Sequence, residues 1–450
     1  MRIYHAFNRL NLALTIILSL CTILQKTDAA PCPCDIYKSA ATPCVAAHST
    51  VRALFESYNG PLYQVRRTSD NVTKEIGVLS PGGFANTAAQ DSFLNGKAGT
   101  ISIIYDQTSN KNDLLKAGVT TWMSSGGKEA NAAEGKIIVS GHAVHGIFVT
   151  AYSNIAYRNN ATTGIATGDK PESMYMVVDG KRSSDQCCFD YGNAETSGKD
   201  DGNGTMEALY WGKDISWGGK GEGTGPWVAA DLENGVFKCD KGGWQSQSLS
   251  VPNAKTVVAT FATAMLKGPS GNHFGLKAGN AQSGKLTTMW DGARPSSGYT
   301  PMKKLGAIIL GTGGDGSNGG TGTFFEGAMT AGNPPDSVDD KIQANIVAAG
   351  YGNNTALAPI NNRTVFMFDV HCTVSDANAV INYTLRGAQR VNMTIFNQQG
   401  KQIAAIAGGI KPAGQHQALW DMKRVPAGVY VAKMTLDDRS GWAGKIIKGK

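Results

Sequence analysis

Charge is scarce in this sequence. Only 17% of its 450 residues are Asp, Glu, Lys or Arg, and aromatic residues supply 8%. Low charge beside 41% hydrophobic residues excludes a disordered chain, because enough apolar surface is present to build a sizeable core. Long Ala/Glu/Lys/Leu stretches are also missing, which excludes a coiled coil or helical bundle. After the N-terminus no apolar run approaches the ~20 residues that span a bilayer, so a membrane-embedded protein is not expected. No basic stripe interleaved with aromatics occurs, which argues against nucleic acid as a partner. What the chain has instead is glycine, 56 residues of it.

Arg2 and Arg9 precede an apolar stretch, Leu10 to Leu24, followed by the small-residue site Thr27-Asp28-Ala29-Ala30. That order reads as a secretory signal peptide over residues 1–29, so the mature chain is expected to be secreted, extracellular or attached at the cell surface. The net charge of +7 is unevenly placed, with 11 Lys/Arg against 5 Asp/Glu from Val365 onward. The larger N-terminal part is therefore near neutral, as suits a neutral substrate, and the basic C-terminal part could meet an anionic surface.

In an oxidising compartment cysteines default to disulfides. Cys34 and Cys44 enclose a short loop containing Pro43, with Cys32 an alternative partner for either. Cys187 and Cys188 are adjacent, and they either close a strained eight-membered ring, bond elsewhere or are left free. Strained backbone of that kind gathers at functional sites.

Residues 31–350 read as one unit of short strands between glycine-rich loops, for example 99–105, 136–139, 146–150, 174–178, 256–261 and 307–310. Helix-length periodicity is confined to Ala46–Ser57 and Asp336–Ala349. The expected class is all-β, a sandwich or barrel. Asparagine-rich residues 351–364 read as a linker. Residues 365–450 hold six or seven further strands, with hairpin turns at Gln398-Gln399-Gly400 and Ala427-Gly428, and read as a small immunoglobulin-like β-sandwich of the kind that sorts or anchors secreted enzymes.

Several motifs fail on context. Gly311-Thr-Gly-Gly-Asp-Gly316 spells a dinucleotide fingerprint, but the Ser/Asn/Gly run after it cannot open the helix such a site needs, so no cofactor is expected. His142-x-x-His145 has metal-like spacing on what reads as a strand, where residues three apart face opposite ways, so no metal is expected either. Asp200-Asp-Gly-Asn-Gly204 lacks the bidentate glutamate of a calcium loop and reads as a turn. What remains is carboxylates in glycine-rich or aromatic-flanked loops. Asp231 and Glu233, two apart in an expected strand, share a face, and paired like charges raise one pKa, as acid/base or nucleophilic work requires. Asp315 sits between Gly314 and Gly316, where backbone can approach a ligand. Trp217 and Trp227 could stack on a sugar.

The runs Pro33-Cys-Asp-Ile-Tyr37, Thr42-Pro-Cys-Val-Ala-Ala-His-Ser49, Tyr157-Arg-Asn-Asn160, Cys187-Cys-Phe-Asp-Tyr-Gly-Asn-Ala-Glu195, Ala230-Asp-Leu-Glu-Asn-Gly235 and Gly306–Gly311 with Gly313-Gly-Asp315 resemble, in order, the catalytic domain of family 54 α-L-arabinofuranosidases. The resemblance implies a β-sandwich of jelly-roll, concanavalin-like type, and retaining, exo-acting release of terminal α-L-arabinofuranosyl residues from arabinan or arabinoxylan side chains of the plant cell wall. It implies Glu233 as nucleophile and Asp315 as general acid/base. It places Asp231, Asn234, Trp217, Gly314 and a Cys187-Cys188 ring around the sugar, with Cys34–Cys44 as a staple. The alternatives from other classes are a non-catalytic carbohydrate-binding protein, or a related β-xylosidase or galactofuranosidase. One departure is the family's cysteine pair before Ile104-Tyr-Asp-Gln107, replaced here by Phe93–Gly99. Another is the C-terminal part, too short for the β-trefoil of fungal relatives, so glycan binding through a trefoil is not expected.

Overall fold

The computed structural model describes residues 31–353, 371–374, 377–385, 389–397, 401–412, 414–436 and 441–448. The chain divides into two compact units between Asn361 and Asn362.

The first unit is built on two antiparallel sheets, as an all-β sequence rich in short strands requires. One sheet runs in the order 44–49, 322–331, 172–179, 261–268, 274–280, 283–292, with Ile147–Val149 added beside Gly322–Ala331. The other has eleven strands, whose central members are Trp227–Asp231, Glu207–Gly212, Asp190–Ala194, Ala307–Leu310 and Tyr157–Asn159 in that order. Alternation sorts their side chains. Leu209, Trp211, Val228, Ala230, Ile308 and Leu310 enter the core shared with the first sheet. Ala208, Tyr210, Ala229, Ala307 and Ile309 belong to small clusters apart from that core, so Asp231, in step with Ala229, faces away from it too. The sheets touch closely: a Cβ on Gly327 would lie 2.7 Å from the Tyr191 ring, and Tyr191 packs on Phe324 with centroids 5.1 Å apart.

The helix Asp336–Ala349 forms as expected and packs on the strand Ser283–Gly292. It begins with Asp336 and Asp339 in its first turn, which suits the helix dipole, and ends at Gly350 in the left-handed conformation. The periodicity over 46–57 is instead a fully buried strand, Cys44–Ser49, followed by turns: six consecutive buried positions carry no helical signature to distinguish them. The strand expected at 256–261 is displaced into two, Ser250–Lys255 and Phe261–Gly268. Residues 93–99, where the family's cysteine pair is missing, close the helix Thr87–Leu94 with Asn95 left-handed and Leu94 buried.

Tyr351, placed in the linker by composition, belongs to the core: its hydroxyl donates to Glu326 at 2.8 Å. The rest of that linker, residues 354–364, lies outside the described residues, as does the turn at 398–400. Glu326 also takes a two-point ion pair from buried Arg52, at 2.6 and 2.7 Å. Removing one member of such a pair strands the other charge. Arg52→Met is expected to cost about 3–5 kcal/mol, read as a lower midpoint in urea unfolding.

The second unit is a small sandwich of a three-stranded sheet, 371–374, 378–385 and 414–421, and a four-stranded sheet, 402–411, 389–397, 428–436 and 441–448. Ile381, Tyr383 and Trp420 of one pack against Met393, Ile395, Ala432 and Met434 of the other. Ala427-Gly428 is not a hairpin turn, because the strands on either side of it lie in different sheets.

Candidate active site

The strand Trp227–Asp231 ends in a two-residue turn. Leu232 N–H donates to the Gly235 carbonyl at 3.1 Å, and Glu233 and Asn234 both take left-handed backbone, φ 65° and 55°. Two positive φ values in succession define the tight hairpin turn that follows the right-handed strand twist, and they suit Asn234, while Gly235 is required by space, since a Cβ there would lie 2.3 Å from the Phe237 ring. Glu233 is therefore not in an extended strand beside Asp231, as alternation had suggested. It stands on the turn, with its N–H donating to Asp231 Oδ1 at 3.2 Å. A glutamate pays strain to sit in this backbone region, of order 1–3 kcal/mol, which the surroundings must offset. The Tyr299 hydroxyl donates to its carbonyl at 2.8 Å, and Gly204 N–H to the Leu232 carbonyl at 2.8 Å.

Asp315 arrives from the loop after Ala307–Leu310. No helix follows that loop, so the glycine fingerprint lacks the helix N-terminus on which a dinucleotide's pyrophosphate would rest. Asp315 accepts from Trp122 Nε1 at 2.6 Å and from Ser317 N at 2.9 Å, which fixes the direction of its carboxyl group. Arg158, buried on the neighbouring strand, donates to the carbonyls of Gly314, at 2.6 Å, and Glu195. It thereby ties the Asp315 loop to the end of the strand Asp190–Ala194. Gly314 leaves no room: a Cβ there would fall 1.8 Å from Glu195 Oε2. Gly314→Ala is expected to push Asp315 out of line and lower kcat/KM about 100-fold, since a 1 Å misplacement costs about that much, and to cost about 1–3 kcal/mol of stability through the overpacking, read as a lower Tm.

A cleft of about 670 Å³ gathers Cys187, Cys188, Trp217, Asp231, Glu233, Asn234, Gly314 and Asp315, every residue that the family resemblance places in the site. Cys187 and Cys188 are bonded to each other, as are Cys34 and Cys44, while Cys32 and Cys239 are free and buried. The adjacent sulfurs form one wall, with Cys188 Sγ 3.3 Å from Asp231 Oδ2. These sulfurs and Asp231 are the group nearest to a metal-ligand set among the described residues, and the disulfide removes the thiolates a metal would need. Trp217 packs behind the ring, with exposed Trp244 against it at 4.1 Å. Trp227 is no sugar platform: it is buried, with Nε1 donating to the Glu222 carbonyl. The exposed aromatics that do reach the cleft are Trp122 and Tyr152. Asp200 is a turn residue whose carboxylate accepts from Gly202 N and from Asn234 Nδ2. His142 stacks on Phe84 and His145 is buried, in a strand away from the cleft.

Behind the visible carboxylates stand two that motif and spacing arguments alone did not single out. Asp190 is fully buried, and neither oxygen meets an N–H or O–H donor of another group. Burial and the adjacent Asp231 push its pKa well up, so it keeps its proton and donates to Asp231. Asp231 is raised by burial and drawn back by that hydrogen bond. Glu195 is raised by burial, and Glu233 by burial and then by Glu195 and Asp231. The signal for both hidden acids was present: charged residues at each end of a strand, Asp190–Ala194, that is otherwise uncharged and wholly buried.

The model for the alpha-L-arabinofuranosidase B catalytic domain matches residues 33–352. The chain belongs to this family. An alpha-L-arabinofuranosidase B of Emericella nidulans is 49% identical over 332 residues, 72% of this chain and 63% of that one. An "Arabinofuranosidase/B-xylosidase" of Trichoderma koningii is 50% identical over 335 residues, 73% of this chain and 64% of its own. A solved arabinofuranosidase complexed with arabinofuranosyl-alpha-1,2-xylobiose superposes with a TM-score of 0.68 at 39% identity, covering 85% of this chain and 74% of that one. The chain spans under two thirds of the length of these curated relatives. Its family membership thus rests on the first unit, which carries the cleft.

Proposed function

We propose that the protein is a secreted, exo-acting, retaining α-L-arabinofuranosidase that removes terminal arabinofuranosyl residues from arabinan- or arabinoxylan-type polysaccharides. The observation that carries this reading is the meeting of Glu233 and Asp315 in one cleft, from the hairpin turn and from a distant loop, beside the disulfide wall and Trp217. Glu233 attacks the anomeric carbon and Asp315 protonates the departing oxygen. Asp315 then acts as the base that activates water against the glycosyl-enzyme ester. Asp231 and Asn234 accept and donate hydrogen bonds to sugar hydroxyls, and the disulfide offers a rigid apolar face to the furanose.

The C-terminal sandwich is read as an immunoglobulin-like sorting or anchoring module, and residues 1–29 as the signal that exports the chain. No helix among the described residues is long and apolar enough to cross a membrane. β-Xyloside cleavage is the second reading, favoured by the double name of the Trichoderma koningii relative. The test is release of 4-nitrophenol from its α-L-arabinofuranoside, run beside the β-xyloside and the galactofuranoside, with NMR of the first-formed anomer. Turnover of the arabinofuranoside with retained configuration is expected. A folded protein inactive on all three would leave a carbohydrate-binding protein.

A further inference from the structure

Two aromatic rings line the cleft without being buried by the fold. Trp122 is 66% exposed and Tyr152 70%, so packing explains neither. Both are fastened to the loop that carries Asp315. Trp122 N–H donates to the Asp315 carbonyl at 3.2 Å, and its Nε1 donates to Asp315 Oδ2 at 2.6 Å. Tyr152 N–H donates to the carbonyl of Asn318, further along the same loop, at 2.7 Å, and its hydroxyl donates to Gln186, next to the disulfide, at 3.3 Å. Tyr152 does this from left-handed backbone, φ 59°, a region that a bulky side chain leaves unless it is held there.

A nucleophile attacks the anomeric carbon from the face opposite the leaving oxygen. With Glu233 as nucleophile, the leaving sugar therefore lies on the side of Asp315, which protonates that oxygen, and so beside the two rings. Charge narrows what can sit there. Four carboxyl groups line the cleft, those of Asp200, Asp231, Glu233 and Asp315, and no Lys, Arg or His does. A uronate would meet like charge with no cation to pair it. We propose that Trp122 and Tyr152 form the subsite for the leaving group, and that this subsite takes a neutral pyranose, such as a xylosyl unit of a polysaccharide backbone, whose axial C–H face stacks on an aromatic ring. The indole of Trp122 then has two duties. Its face holds the leaving sugar, and its N–H edge steers the carboxyl group that protonates that sugar's oxygen.

The inference rests on the roles of Glu233 and Asp315 in the proposed function, and the experiment separates the two. Methyl α-L-arabinofuranoside and α-L-arabinofuranosyl-xylotriose both leave as alcohols that need a proton, but only the second brings a ring to stack. The ratio of their kcat/KM values thus cancels what Asp315 gives to both. That ratio, oligosaccharide over methyl glycoside, is expected to fall about tenfold in each of Trp122→Ala and Tyr152→Ala, the loss of one stacking contact. Trp122→Phe keeps a ring but loses the donor to Asp315, so kcat/KM falls on both substrates while the ratio holds within about threefold of wild type. A ratio unchanged in both alanine variants overturns the proposal. Saturation-transfer NMR gives a readout without turnover: xylotriose is expected to take up more saturation from the wild type than from Trp122→Ala, and trigalacturonate the same from both. No difference for xylotriose, or one as large for trigalacturonate, overturns the assignment to a neutral pyranose. A folded wild type inactive on both arabinofuranosides that still gives the xylotriose difference would sink the proposed function and leave the sugar site standing.

Discussion

Glu233→Ala is expected to abolish turnover, by roughly 10⁴-fold or more in kcat, while leaving the protein folded. The expectation comes from where the side chain sits. Glu233 projects from a turn into the cleft, its backbone is fixed by Tyr299 and by Leu232 to Gly235, and none of those contacts involves its carboxyl group. Truncation also removes one of several carboxyl groups crowded behind a single guanidinium, Arg158, so thermal stability is expected to hold or rise. The measurement is kcat on the nitrophenyl arabinofuranoside beside Tm. Residual turnover near wild type would remove Glu233 from the mechanism. A mutant that is inactive and also several degrees less stable would assign the residue to the fold as well. Azide added to a folded, inactive mutant should restore release of nitrophenol, because a small anion fits where the carboxylate was.

How far the site could be read from the sequence depended on which force fixed each part. Strands 136–139 and 307–310 were legible to the residue, because each is a compact apolar run with nothing helical to compete. The strand Cys44–Ser49 was not, since burial on both faces erases the period-two pattern that marks a strand. Asp231 and Glu233 were legible as a pair, but their relation was misjudged. Alternation assumes an extended chain, and the left-handed turn at Glu233-Asn234 breaks it one residue beyond Asp231. Trp217 and Trp227 look alike in sequence, and tertiary packing alone buries the second. Trp122 and Tyr152 come from loops more than 60 residues from any catalytic candidate, so no local spacing could reveal them. The family resemblance supplied what spacing could not, namely that a loop at 315 and a turn at 233 meet.

The two carboxyl groups proposed for chemistry differ in their supports, and that difference predicts how Asp315→Ala will behave. Glu233 is buried among acids, whereas Asp315 is steered by hydrogen bonds from Ser317 and from the indole of an exposed tryptophan. An acid/base residue contributes in proportion to how badly the leaving group needs a proton, typically 10²- to 10⁴-fold. Arabinofuranosyl side chains leave a sugar hydroxyl, a poor leaving group, so Asp315→Ala is expected to lose roughly 10³-fold or more on arabinoxylan oligosaccharides. Nitrophenolate leaves without help. On the nitrophenyl substrate the first step should survive while the second, which needs Asp315 to deprotonate water, stalls. The expected signature is a burst of nitrophenol matching the enzyme concentration, then a slow steady rate with a lowered KM, because the ester accumulates. Equal losses on both substrates with no burst would mean that Asp315 orients the sugar and that another group carries the proton.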